Sequence, residues 1–247
     1  MTSGNSTAVL LAAGKGTRMN SDLAKVLLPL AGKPLIAHVV DAVVAAGFPR
    51  TVVIVGHQAD RVRDALRGRS VEFVVQEPQL GTGHAVLCAA PLLAGFTGAL
   101  AVLAGDAPLI RPESLQALLE HHLRSRAAVT LLTAVLPDPA GYGRIVRREE
   151  RVVGIVEDKD CGPRERAIRE INASIYAFDY PFLARALPKV ENKNRQGEYY
   201  LTDTVHLAFG EGLPVEGIVV DDPREVAGIN TPEQLAYAER ILAERRA

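Results

Sequence analysis

The sequence predicts an α/β fold in which helices cover both faces of a mostly parallel sheet, and three observations carry that prediction. Short apolar, β-branched runs recur through the first 135 residues, and amphipathic helical patterns alternate with them. That alternation is the signature of parallel strands buried on both faces. Of 247 residues, 48% are apolar and 23% charged, enough for one large core and too few residues for several.

In chain order, the runs 8–12, 51–55, 71–75, 99–103 and 129–135 read as strands. Helical patterns fill 35–46, 60–66, 83–93 and 112–126, the last with Pro112 and Glu113 in its first turn. The rhythm then changes. Residues 143–148 and 151–157 form a predicted hairpin turning on Glu149 and Glu150, followed by strands at 170–178 and 215–220 and helices at 181–187 and 201–211. Thr231-Pro232-Glu233-Gln234 supplies an N-cap, an N1 proline and a following acid for a helix reaching residue 246, with Leu235, Ala238, Ile241 and Leu242 on one face. With no repeat and no long linker, one domain is expected, its second half elaborating the mouth of the sheet.

Composition narrows the function classes. A net charge of −1 excludes a globally basic nucleic-acid binder. Two cysteines far apart exclude a disulfide framework and suit a reducing compartment. The polar first seven residues lack the apolar core of a signal peptide. Residues 85–105 carry no charge, but Pro91, Gly95, Thr97 and Gly98 interrupt them, so they read as buried helix, turn and strand rather than a membrane span. A cytoplasmic protein without nucleic-acid or membrane partners is expected.

The densest chemical signal follows the first strand, in Leu11-Ala12-Ala13-Gly14-Lys15-Gly16-Thr17-Arg18-Met19 and then Lys25. Ligands of parallel sheets bind beyond the carboxyl ends of the strands. There Gly14 and Gly16 let backbone N–H groups approach an anion, and Arg18 and Lys25 add full charges. The same residues also suit a packing turn with exposed cations. Neither the dinucleotide fingerprint, which needs glycine where Met19 stands, nor the Gly-Lys-Ser/Thr loop is present.

After the third strand, Gln76 offers a donor and an acceptor to a base edge, with Gly81 and Thr82 beside it; a polar helix start is the alternative reading. Asp106 follows the strand at 99–103 and is placed to hold Mg²⁺, or to cap the turn before Pro108. Asn230 could supply a second oxygen, and it also suits a turn before Thr-Pro. The histidines form no metal set: His121 and His122 face apart on one helix, and the others are scattered. Cys88 reads as core and Cys161 as part of a polar loop, with no motif for a catalytic thiol.

The loop from Leu11 to Met19 with Lys25 resembles the signature of sugar-nucleotide pyrophosphorylases. Further blocks follow in order: Gln76, residues 80–85, Gly105-Asp106, residues 141–145, Ile155-Val156-Glu157, Glu170-Ile171-Asn172 and residues 196–203. Together they resemble the uridylyltransferase half of the bifunctional bacterial enzyme that makes UDP-N-acetylglucosamine.

The resemblance implies a Rossmann-like, three-layer nucleotidyltransferase domain of the GT-A-like kind over residues 8–230. A flexible N-terminus (1–7) and a C-terminal helix (231–247) would flank it, and the family's acetyltransferase β-helix is not expected in this chain. It also implies roles. Leu11, Ala12, Ala13, Gly14, Gln76, Gly81 and Thr82 would hold the uridine nucleotide, with Ala104 and Gly105 beside them. Arg18 and Lys25 would be catalytic, binding the triphosphate. Gly143, Glu157 and Asn172 would bind N-acetylglucosamine 1-phosphate, and Asp106 and Asn230 would coordinate Mg²⁺. UTP would then be converted with the sugar phosphate to UDP-N-acetylglucosamine and pyrophosphate.

Two departures stand out. Ala24 takes the place of a frequent proline, which would loosen the lysine loop, and Ala104 that of an aromatic residue, which would remove a side-chain contact. A relative using another sugar phosphate or nucleotide is the alternative, and a silent nucleotide-sugar-binding regulator a further one. Against the regulator, Arg18, Lys25 and Asp106 are all present.

Overall fold

The computed structural model describes residues 5–16, 19 and 21–245. The first half runs β1 (Ser6–Ala12), β2 (Pro29–Leu30), β3 (Lys33–Pro34), α1 (Leu35–Ala45), β4 (Thr51–Val55), α2 (Ala59–Ala65), β5 (Glu72–Val75), α3 (Thr82–Cys88) and β6 (Ala99–Ala104). The second half runs α4 (Pro112–Ser125), β7 (Val129–Val135), β8 (Arg144–Arg148), β9 (Arg151–Val156), α5 (Pro163–Arg166), β10 (Glu170–Asp179), α6 (Tyr180–Ala186), α7 (Asp203–Gly210), β11 (Val215–Val219) and α8 (Pro232–Glu244).

Among the described residues, the main sheet has the order β11-β7-β10-β6-β1-β4-β5, and the β8–β9 hairpin joins it through β10. β1 is parallel to both β4 and β6, and β5 to β4. Side chains alternate along these strands between two cores. Ala8, Leu10 and Ala12 share one with Val53, Val55 and Leu103, under α1, α2 and α4. Val9, Val52, Ile54, Leu100 and Val102 face the other, under α3, α6 and α7. The result is the expected three-layer α/β arrangement, and each fully buried Leu or Val here contributes about 1.5–3 kcal/mol.

The structure corrects several expectations. Ser6 and Thr7, expected in a flexible terminus, are 3% and 1% exposed, because β1 already pairs there with Ala99 and Leu100 of β6. The helix expected over 83–93 stops at Cys88, and a separate 3-10 turn at Ala90–Leu93 accommodates Pro91. The helix expected from Leu201 begins at Asp203. β10 runs antiparallel to both β6 and β7, so the second half extends the sheet itself rather than only its mouth. The predicted hairpin is present, with Arg148 paired to Arg151.

α8 is not an appendage. Its capping box is formed as expected, Thr231 Oγ1 accepting from Gln234 N at 3.3 Å and Gln234 Oε1 from Thr231 N at 3.1 Å. Ala238 and Ile241 pack with Leu28, Leu30, Leu35 and Leu109 in a third cluster behind the lysine loop. Cys88, expected in the core, is half-exposed, whereas Cys161 is buried with Sγ 3.6 Å from the Val156 carbonyl. Residues 85–105 form helix, turns and strand, and no described helix is long and apolar enough to cross a membrane.

Candidate active site

A cleft of about 300 Å³ opens at the carboxyl ends of β1, β5 and β6. Its walls include Leu11, Ala13, Gly14, Lys25, Gln76, Gly81, Thr82, Ala104 and Asp106, all singled out from the sequence. Ala12 and Gly105 lie behind the wall. The side chain of Ala12 alternates into the core, and Gly105 N donates to the Leu11 carbonyl at 2.9 Å. Arg18 lies outside the described residues.

Lys25 starts a 3-10 turn held by its neighbours. A Cβ on Gly16, whose φ is +66°, would overlap the Lys25 side chain, so only glycine allows this approach. Ala24 N donates to Gln58 Oε1 at 3.0 Å, and Gln58 Nε2 donates to the Asp22 carbonyl at 2.5 Å. A proline at position 24 could not make the first bond, so the loop expected to be looser is tied by a hydrogen bond instead. Gln58 itself sits at φ +54°, between β4 and α2. Nothing in the sequence around it signals this clamp.

The ammonium of Lys25 donates to Asp106 Oδ2 and, at 2.8 Å, to Asn230 Oδ1. Two oxygens from distant parts of the chain thus converge on one cation. A carboxylate and an amide oxygen are hard donors, so the pair fits the oxygen preference of Mg²⁺. Asn230 is held in turn by α8, its N–H donating to Gln234 Oε1 at 2.7 Å.

At the other wall, Gly81 has φ +114°, and a Cβ there would lie 2.6 Å from the Tyr199 carbonyl oxygen. The close approach lets Gly83 N donate to that carbonyl at 2.7 Å, Tyr199 N to the Leu80 carbonyl at 2.8 Å, and Leu201 N to Thr82 Oγ1 at 2.9 Å. The next residue, Thr202, donates from its hydroxyl to Glu157 Oε1 at 3.0 Å. Residues 199–202 therefore join the Gln76–Thr82 wall to a second cluster.

That cluster holds the other predicted residues. Gly143 O accepts from Asn172 N at 2.9 Å, and a Cβ on Gly143 would lie 3.4 Å from Glu157 Oε2. Asn172 is buried, its Nδ2 donating to the Tyr176 hydroxyl at 2.6 Å and its Oδ1 accepting from Ser174 N at 3.0 Å. Ser174, at φ +56° in the β10 bulge, faces the first cleft. Burial pushes the Glu157 carboxyl up; the Thr202 hydroxyl opposes this, while the carboxylates of Asp203, Asp160 and Glu198 reinforce it. Burial also raises Tyr142, whose hydroxyl meets the backbone of Gly228 near Asp106. Sequence reasoning missed Gln58, Ser174, Thr202 and Glu198 as individual site residues, although residues 196–203 stood among the resembling blocks.

The arrangement sets a cation held between oxygens in one cleft, and residues 199–202 link the wall of that cleft to a buried acidic cluster at Glu157. The fold is shared with solved nucleotidyltransferases. One, a nucleotidyl transferase from Methanothermobacter, superposes with a TM-score of 0.67 at 23% identity, over 98% of this chain and 99% of that one. Another, described as a glucose-1-phosphate thymidylyltransferase from Bacillus anthracis, gives 0.77 at 18% identity, over 96% and 94%.

Among curated relatives, the bifunctional protein GlmU of Geobacter metallireducens is 51% identical over 244 residues, 98% of this chain and 51% of that protein. GlmU of Geobacillus thermodenitrificans is 49% identical over 239 residues, 96% of this chain and 52% of that protein. The chain thus spans about half the length of the curated relatives it matches. The profile of the MobA-like NTP transferase domain matches residues 8–153, more than half of the chain, and the chain belongs to that family.

Proposed function

We propose that the chain transfers UMP from UTP to N-acetyl-α-D-glucosamine 1-phosphate, giving UDP-N-acetylglucosamine and pyrophosphate. The observation that carries the proposal is the Lys25 ammonium bracketed by Asp106 and Asn230, in a cleft that it shares with the Gln76–Thr82 wall. The choice of sugar rests on the resemblance of residues 141–145, 155–157 and 170–172.

In the proposed reaction a phosphate oxygen of the sugar phosphate attacks the α-phosphorus of UTP. One P–O bond forms, the α–β bridging P–O bond breaks, and its electron pair leaves on pyrophosphate. The attacking oxygen is already anionic, so no general base is needed, which suits a cleft whose described lining residues include no His or Cys. The requirement is in-line positioning of two polyanions and cancellation of their charge. Lys25 supplies positive charge at the carboxyl end of the sheet, and Arg18, seven residues earlier in the sequence, would add a second.

Asp106 and Asn230 would hold Mg²⁺, and the ion when bound would neutralise charge on the departing pyrophosphate. Glu157, which only accepts hydrogen bonds when ionised, would take hydroxyl or acetamido N–H donors of the sugar. Gly143 leaves room beside it, and Asn172 fixes the bulge that presents Ser174. UTP is an intracellular metabolite, so the reading places the reaction in the cytoplasm.

The test is pyrophosphate release with Mg²⁺, crossing UTP, CTP, ATP, GTP and dTTP with N-acetylglucosamine 1-phosphate and glucose 1-phosphate. Release that is fastest with UTP and the acetylated sugar is expected. Release with another pair would move the chain to a sister specificity, and no release from a folded sample would overturn the reading.

A further inference from the structure

The wall that would meet the base has an outer layer. Gln76 is 3% exposed, and its Nε2 donates to the Gly81 carbonyl at 2.9 Å. A carbonyl oxygen only accepts, so this contact fixes which end of the amide is nitrogen. The same nitrogen lies 3.1 Å from Nδ1 of His84, which must therefore accept. A neutral imidazole accepting at Nδ1 carries its proton on Nε2. That Nε2 faces Sγ of Cys88 at 3.7 Å, one turn along α3. Burial raises the Cys88 thiol above its usual range, leaving a neutral, soft sulfur as partner for the N–H.

Both hydrogens of the Gln76 amide are thereby engaged, one by a backbone carbonyl and one by His84. We propose that His84 is a positioning residue for base selection, locking the Gln76 amide so that Oε1, an acceptor, is the atom it presents to the base. The proposal rests on the reading of Gln76 as the base contact. Uracil offers a donor at N3–H, whereas the N3 of cytosine is an acceptor. A free glutamine could turn over and serve either ring. A locked one leaves the cytosine nitrogen lone pair facing Oε1, and an unpaired polar group in a desolvated site is the strong form of discrimination.

The experiment compares kcat/KM for UTP and for CTP in the full chain carrying Gln76→Ala, His84→Leu or His84→Asn. Gln76→Ala should erase most of the preference for UTP. His84→Leu should narrow the UTP/CTP ratio about tenfold, because the second amide hydrogen loses its acceptor. His84→Asn, whose Oδ1 can stand where Nδ1 accepts, should restore the ratio to within about threefold of the parent. A purely structural histidine would instead lower both nucleotides together. An unchanged ratio in His84→Leu beside a collapsed ratio in Gln76→Ala would overturn the role of His84 alone. An unchanged ratio in both would overturn the base-contact reading and the proposal with it. Should His84→Leu fold poorly, the ratio of UTP to CTP dissociation constants in His84→Ala decides by the same criterion.

Discussion

The two ends of the site are built differently. At the proposed nucleotide end, loops leave the parallel strands β1, β5 and β6 in one direction, and each contributes a short contiguous motif. Its cation, Lys25, is matched by the oxygens of Asp106 and Asn230. The proposed acceptor end is made where the antiparallel hairpin β8–β9 meets the bulge of β10. There Glu157 sits near Asp203, Asp160 and Glu198, and one hydroxyl from Thr202 answers it. A polyanion needs compensated charge and many backbone donors, whereas a hydroxyl-rich ring needs acceptors. The difference in charge between the two ends follows the difference in what each would bind.

The largest test of that contrast is Asp106→Asn. Removing the negative charge of one of the two groups that share the Lys25 ammonium should lower kcat about 10²–10³-fold, with an unchanged circular dichroism spectrum, in the range seen when a transition-state charge contact is lost. A change of a few-fold would return Asp106 to a turn residue.

Gly81→Ala probes the joint between the ends. Alanine is strained at φ +114°, and its Cβ would displace the Tyr199 carbonyl. The Michaelis constant for UTP should rise about 10–100-fold, and that for the sugar phosphate should rise with it because Thr202 moves. Steady-state kinetics with each substrate varied would separate a shared effect from a local one.

A reference far from both ends is His122, buried against Thr130 Oγ1 at 3.0 Å and pushed by burial down to about 4 from 6.5. The unfolded chain takes up this proton first as pH falls. The resulting stability is thus complete above 6.5 and is lost between 6.5 and about 4. The loss amounts to roughly 3 kcal/mol. In urea titrations at pH 7 and 5, His122→Gln should flatten this acid slope while leaving substrate binding untouched.

The smallest effect expected is on Glu157→Gln stability. The raised carboxyl of Glu157 means that ionising it costs folding energy, so stability falls as pH rises through its folded value. The amide variant should therefore melt about 2–4 °C higher at pH 8, and the gain should vanish once pH drops below the ordinary glutamate range. A stabilised but slower variant would mark Glu157 as a residue kept for function.

Much of this was legible in the sequence. The strands β1, β4, β5 and β6 are legible because each is a short run rich in apolar, β-branched residues, whereas the two-residue strands β2 and β3 are too short to leave a pattern; the cleft-lining residues are legible because most fall within a few positions of a strand end. The orientation of β10 was not. A strand buried on both faces has the same pattern whether it runs parallel or antiparallel, and Ile171 to Phe178 carries no mark of the choice. Ser174 and Gln58 hold left-handed backbone without being glycine, so no composition cue points to them. The Glu157 cluster draws on residues 143, 157, 172 and 202, too dispersed for a local motif; the resemblance gave a role to three of them and held Thr202 in a block without one, and only the fold shows its hydroxyl on the carboxylate.

The division of the site is the central claim, and calorimetric titration of Glu157→Ala tests it most directly. UTP with Mg²⁺ should bind this variant within about twofold of the parent, since the nucleotide end is untouched, while UDP-N-acetylglucosamine should lose its advantage over UDP. Weakened UTP binding with the sugar's contribution intact would contradict the account.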